Sequence, residues 1–137
     1  MEGTFIDTNI FLRHLLNDVP TQSTACHELF RAIENQDLIG WTSPVVVAEI
    51  VFVLSNPKTY DFARPTLRDL VLSIIQLTGL RLESKHLYPR IFDLYVGHSI
   101  DYVDAYHAAL IESAGQITLY SYDMDFDDVP TLQRTEP

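Results

Sequence analysis

Apolar positions in this chain come either as short unbroken runs or as repeats every three to four residues, the pattern of strands alternating with helices. Thr4 to Thr8 reads as a buried strand and Ile10 to Leu16 as a short helix after it. From Gln22 to Asn35, Ala25, Leu29 and Ile33, with Cys26 and Phe30, recur at helical spacing. Leu38 to Thr42 reads as a second strand, and Ser43-Pro44 starts a helix that stops near Ser55-Asn56-Pro57. Lys58 to Arg64 is a polar connector, Pro65 to Leu77 a helix broken at Gly79, and Leu80 to Glu83 alternates like a strand. His86 to Tyr95 is helical with Pro89 in its first turn, and Gly97-His98-Ser99 ends it. Asp101 to Ser113 forms another helix capped by Gly115, and Ile117 to Tyr122 is the last strand. This order predicts an α/β fold around a mostly parallel sheet, with ligands gathered at the carboxyl ends of the strands.

Length and composition narrow this picture. A chain of 137 residues is expected to form a single domain, 1–137, with its own core. Hydrophobic residues make up 47% and charged residues 20%, which is ordinary globular composition. The longest apolar run, Val45 to Leu54, contains Glu49 and is shorter than the ~20 residues a membrane span needs, so no membrane association is expected. The N-terminus has neither a basic leader nor a long apolar segment, and a single cysteine, Cys26, can form no internal disulfide. A cytoplasmic setting follows as the expectation. A formal charge of −10 disfavours indiscriminate adhesion to nucleic acid or anionic lipid, but a carboxylate cluster that binds divalent cations changes sign locally.

Four acids stand in or beside apolar stretches: Asp7, Glu49, Asp104 and Asp123. Glu49 has Val45, Val46, Phe52 and Val53 as its helical neighbours, hence no polar face to share, and an ionised carboxylate buried there must be paired, protonated or bound to metal. Its bland reading is an arginine or helix N-terminus beside it. Asp7 ends the first strand and points toward the ligand crevice, or else Asp7 or Thr8 caps the next helix. Asp104 shares a helix face with Asp101, an arrangement that is either a variant capping box or a like-charge pair awaiting a cation. Asp123 opens the run Asp123-Met124-Asp125-Phe126-Asp127-Asp128, whose ordinary explanation is a solvated loop. Of these, only Asp123 directly follows the strand, and Asp125 reaches a metal through water if at all.

Other chemistries find little support. The five histidines are scattered, with no His-Glu-x-x-His pair and no cysteine cluster, so a zinc site is not indicated. His107 shares a face with Asp104 and reads as a half-buried histidine. The glycines form no phosphate-cradling loop, and no serine sits in a Gly-x-Ser-x-Gly turn.

Taken together, Phe5-Ile6-Asp7-Thr8-Asn9, Ser43-Pro44-Val45-Val46-Val47-Ala48-Glu49, Asp101-Tyr102-Val103-Asp104-Ala105-Tyr106-His107-Ala108-Ala109 and Ser121-Tyr122-Asp123-Met124-Asp125-Phe126 resemble the four acidic motifs of the PIN domain. That family of metal-dependent nucleases includes the VapC-type toxins of toxin–antitoxin pairs. The resemblance implies a three-layer α/β fold, with a central, mostly parallel sheet flanked by helices. It also implies Mg²⁺ or Mn²⁺ held by Asp7, Glu49, Asp104 and Asp123, hydrolysis of RNA phosphodiesters to 5′-phosphate and 3′-hydroxyl ends, and a homodimer. Toxin activity further implies a cognate antitoxin protein as partner.

An all-oxygen ligand set suits hard cations, and two carboxylates about 4 Å apart repel by about 4 kcal/mol at an effective dielectric near 20, so converging acids hold protons or a cation. Within the expected mechanism Asp7, Glu49 and Asp104 form the inner ligands and Asp123 acts through water. Thr8, Asn9, Ser121, Asp101 and Asp125 are supporting candidates, and Arg13 is the basic residue expected nearest the scissile phosphate. Lys58, Arg64 and Arg68 form either a second contact patch or a solvated face. The main rival reading is a catalytically silent PIN-fold scaffold or binding module. A phosphoryl-accepting receiver domain needs a late lysine, and none follows Lys85. Haloacid dehalogenase-like phosphatases carry Asp-x-Asp where this chain has Asp7-Thr8-Asn9.

Overall fold

In the computed structural model, which describes residues 2–137, the first strand is short because a helix cap follows it almost at once. Strand β1 spans only Thr4–Phe5, and Asp7 is already the N-cap of helix α1, Thr8–Leu16. Thr8 is therefore helical, not the end of a longer strand. Asn17 closes α1 in the left-handed region (φ 52°), a conformation asparagine tolerates better than most residues. Helix α2, Pro20–Glu34, opens with proline at a position whose N–H has no helical partner, and buries Ser23, Cys26, Phe30 and Ile33 along one stripe.

Strand β2, Gly40–Thr42, pairs in parallel with β1, and strand β3, Leu80–Leu82, pairs in parallel with β2, giving the order β1-β2-β3. The Ile6 amide extends the β1 ladder by donating to the Trp41 carbonyl at 2.8 Å. Helix α3, Pro44–Ser55, has the expected bounds: Ser43 caps it by accepting the Val46 N–H at 3.2 Å, and Asn56 turns extended ahead of Pro57. Helix α4, Arg64–Ile75, buries Leu67, Val71, Ile74 and Ile75. Gly79 is required by packing, since a Cβ there falls 2.2 Å from the Ile33 carbonyl oxygen at the end of α2. These elements form one compact unit that ends at Lys85.

The second unit, His86–Pro137, begins within a 3-10 turn at Lys85–Leu87. Its helices α5, Tyr88–Gly97, and α6, Tyr102–Ser113, pack together. The packed face of α6 offers Ala105, Ala108 and Ala109, small enough for Ile91, Phe92 and Leu94 to be fully covered, each such side chain contributing about 1.5–3 kcal/mol. Tyr102 adds ring contacts to Phe92 at 5.5 Å and Tyr95 at 5.9 Å. Gly115, with φ 73°, ends α6 as expected. Strand β4, Thr118–Tyr120, is followed by a 3-10 turn, Met124–Asp128, where an open acidic loop was expected. A strand absent from the sequence reading, β5 at Gln133–Thr135, pairs in parallel with β4.

Candidate metal centre

The first unit carries Asp7 and Glu49. Asp7 leaves the strand extended (φ −87°, ψ 165°), and its Oδ1 accepts the Thr8 N–H at 2.8 Å. The capping reading is thus realised, yet one cap bond uses one lone pair of a carboxylate that offers about four, so capping leaves Asp7 able to bind a cation. Thr8 is buried, and its Oγ1 donates to Glu49 Oε2 at 2.8 Å. A neutral hydroxyl therefore holds Glu49. The expectation that Glu49 sits in a wholly apolar surround is corrected: Val45 is 66% and Phe52 69% exposed, and Glu49 lies on that exposed face while Val46, Val47, Ile50, Val51 and Leu54 form the core.

Asn9 is exposed at the start of α1 and lines a cleft of about 470 Å³ with Ile10, Arg13, Gln22, Ala25 and Cys26. Arg13 is tied at the far end of α1, to Asp18 at 3.2 Å and to Gln22 Oε1 at 3.0 Å. Among the other expected cations, Arg68 pairs with Asp69 at 3.0 Å and Lys58 is exposed in the connector.

The second unit carries Asp101, Asp104, Ser121, Asp123 and Asp125. Asp101 occupies the N-cap position of α6, but its side chain makes no cap bond, so the capping-box variant is not formed. Asp104, Asp123 and Asp125 each present a carboxylate oxygen within 4.8 Å of the others. Burial pushes the Asp104 carboxyl above the usual aspartate range; Asp123 and Asp101 add to the shift, and His107 opposes it. The turn explains the convergence, because Ser121 Oγ accepts the Asp123 N–H at 3.0 Å and Asp123 Oδ1 accepts the Asp125 N–H at 2.9 Å. Such a turn brings the Asp-x-Asp carboxylates to one side. Asp125 is thus a member of the cluster, and both it and Asp123 are exposed. His107 is exposed, its ring 5.8 Å from that of Tyr106.

The donor set fits a hard divalent ion. Opposite ligands of an octahedral Mg²⁺ lie about 4.2 Å apart, comparable to the spread of these three oxygens. Ionised together without a cation, each pair repels by about 3–4 kcal/mol at an effective dielectric near 20.

A family model described as PIN domain matches residues 4–132, and the chain belongs to that family. The matched stretch includes all four motif acids, and the parallel strands and intervening helices are the α/β arrangement expected of it. A protein named ribonuclease VapC2, from Methanocaldococcus jannaschii, is 29% identical over 77 residues, 52% of this chain and 48% of that protein. The chain thus spans about half the length of the curated relative it matches. Among the described residues no helix is long and apolar enough to cross a membrane.

Proposed function

We propose that the chain is an endoribonuclease dependent on Mg²⁺ or Mn²⁺, acting as the toxin of a type II toxin–antitoxin pair, with residues 1–137 working as one nuclease domain. The observation that carries this reading is the convergence of Asp104, Asp123 and Asp125 in a member of the PIN family. The similarity to the Methanocaldococcus jannaschii protein named ribonuclease VapC2 favours RNA as the substrate. A cytoplasmic homodimer neutralised by a cognate antitoxin completes the proposal.

In this reading Asp7, Glu49, Asp104 and Asp123 hold the metal, with Asp125 in support. When bound there, a divalent ion would supply Lewis-acid polarisation of the phosphodiester and a bound water acidic enough to serve as nucleophile near neutral pH. The protein's own part is positional. Thr8 fixes the Glu49 carboxylate through its hydroxyl, and Asp7 is locked by its cap bond. Asn9, exposed at the start of α1, offers a neutral donor and acceptor to substrate.

The rival reading, a silent scaffold, draws on one observation. Four arginines are already engaged by acids rather than free for RNA: Arg13 by Asp18, Arg68 by Asp69, Arg90 by Glu112 and Arg134 by Asp127. Cleavage of a mixed single-stranded RNA panel with Mn²⁺, by wild type and by Asp7→Asn, decides between them. Asparagine caps helices as well as aspartate does, so the variant keeps its fold. A loss of about 100-fold or more is expected, since even groups that only support metal ligands are worth 10–100-fold. A folded wild type that neither binds Mn²⁺ nor cleaves, or a variant that cleaves equally well, removes the nuclease reading.

A further inference from the structure

The turn that carries Asp123 and Asp125 is clasped from outside the stretch that the family model matches. Arg134 lies on β5, past residue 132 where that match ends. Its guanidinium reaches both ends of the segment 121–127. At one end Nη1 donates to the Ser121 carbonyl at 3.0 Å. At the other, Nε and Nη2 donate to the two oxygens of Asp127 at 3.0 and 3.2 Å. Nη1 also meets Glu136 at 3.3 Å, and the side chain is only 14% exposed.

Ser121 is consequently held on three sides. Its N–H donates to the Thr135 carbonyl at 3.1 Å, its carbonyl accepts from Arg134, and its Oγ accepts the Asp123 N–H. From there the chain of contacts runs to Asp125 through the Asp123 carboxylate. A second effect is electrostatic: the Arg134 charge offsets the Asp127 carboxylate, both of whose oxygens are engaged in the fork.

We infer that Arg134 is a positioning residue for divalent metal, holding the Asp123–Asp125 turn in its ligating shape by tying Ser121 to Asp127; this rests on the metal-dependent reading proposed above. The geometry requires arginine. Three donors in a rigid plane serve a carboxylate and a carbonyl at once, whereas the lysine ammonium is a point charge without the fork. Groups that orient metal ligands are worth about 10–100-fold in metal affinity.

The probe is Mn²⁺ alone, titrated by electron paramagnetic resonance into wild type, Arg134→Gln, Arg134→Lys and Asp127→Asn, with circular dichroism to verify folding. Arg90→Gln serves as control, because it breaks another arginine–carboxylate fork of the same unit, to Glu112, that does not touch the turn. Arg134→Gln is expected to bind Mn²⁺ about 10-fold more weakly or worse. Arg134→Lys should fall between it and wild type, and Arg90→Gln should match wild-type affinity while melting lower. Wild-type affinity in folded Arg134→Gln overturns the inference, and so does equal weakening in Arg90→Gln. If Arg134→Gln does not fold, Asp127→Asn takes its place: weaker binding supports the clasp and unchanged binding overturns it. A wild type that binds no Mn²⁺ fails differently, taking down the metal reading and the inference together.

Discussion

The acids of the two units are held in opposite ways. In the first unit each has a neutral donor: the Thr8 N–H donates to Asp7 and the Thr8 hydroxyl donates to Glu49. One residue thus orders both carboxylates without cancelling either charge. In the second unit Asp104, Asp123 and Asp125 are set against one another, and burial raises the Asp104 carboxyl further. That cluster carries repulsion that a cation relieves, so in the metal-dependent reading proposed above Asp104, Asp123 and Asp125 should contribute more to metal affinity than Thr8 and its partners do.

That division has a direct consequence. Asp104→Asn removes a carboxylate that is a metal ligand in the proposed reading, and should weaken Mn²⁺ binding by about 100-fold or more, above the 10–100-fold range of supporting groups. Thr8→Val deletes only the hydroxyl that orients Glu49, and should cost about 10-fold in affinity and about 1 kcal/mol in stability. Calorimetric titration of both variants tests the ranking. Equal losses collapse the distinction between the units, and a larger loss in Thr8→Val reverses it.

How far this was legible in the sequence depends on whether the cause was local. Both ends of α3 followed from Ser43-Pro44 and Asn56-Pro57, because caps and proline act within a few residues. The end of α6 followed from Gly115 in the same way. Strand β5 did not, since Gln133-Arg134-Thr135 has no apolar alternation and becomes a strand only by pairing with β4. Periodicity showed that Glu49 has apolar neighbours but not which of them the core covers, and Val45 and Phe52 proved exposed. Asp125 is exposed, as a solvated acid should be, and its place beside Asp123 comes from its N–H bond to the Asp123 carboxylate, which local sequence does not announce. Arg134 offered no local signal at all, because its partners Ser121 and Asp127 are reached across the β4–β5 pairing.

The smallest expected effect is one of sign, read from two acids of α6. Asp104 has its carboxyl raised above the ordinary 3.8, so the metal-free folded protein keeps that proton to higher pH than the unfolded chain does. Its contribution to stability is complete below 3.8 and is lost as pH rises through the folded value. Glu112 behaves oppositely: the Arg90 guanidinium and the Thr131 hydroxyl hold its carboxyl below the ordinary 4.5, so its contribution is present above 4.5 and lost as pH falls through the folded value. In a chelator at pH 7, Asp104→Asn should therefore melt a few degrees above wild type and Glu112→Gln a few degrees below. As pH falls through the folded value toward 3.8 the gain from Asp104→Asn should shrink, because wild-type Asp104 takes up its proton in the folded state first and is protonated in both states only below 3.8. The penalty of Glu112→Gln should persist until pH falls below 4.5 and fade only there. Melting curves of the three proteins across this range check both directions, and saturating Mn²⁺ should reverse the order of wild type and Asp104→Asn, because only wild type gains the full stabilisation of a bound ion. An Asp104→Asn protein that melts below wild type in chelator contradicts the strain assigned to the second unit.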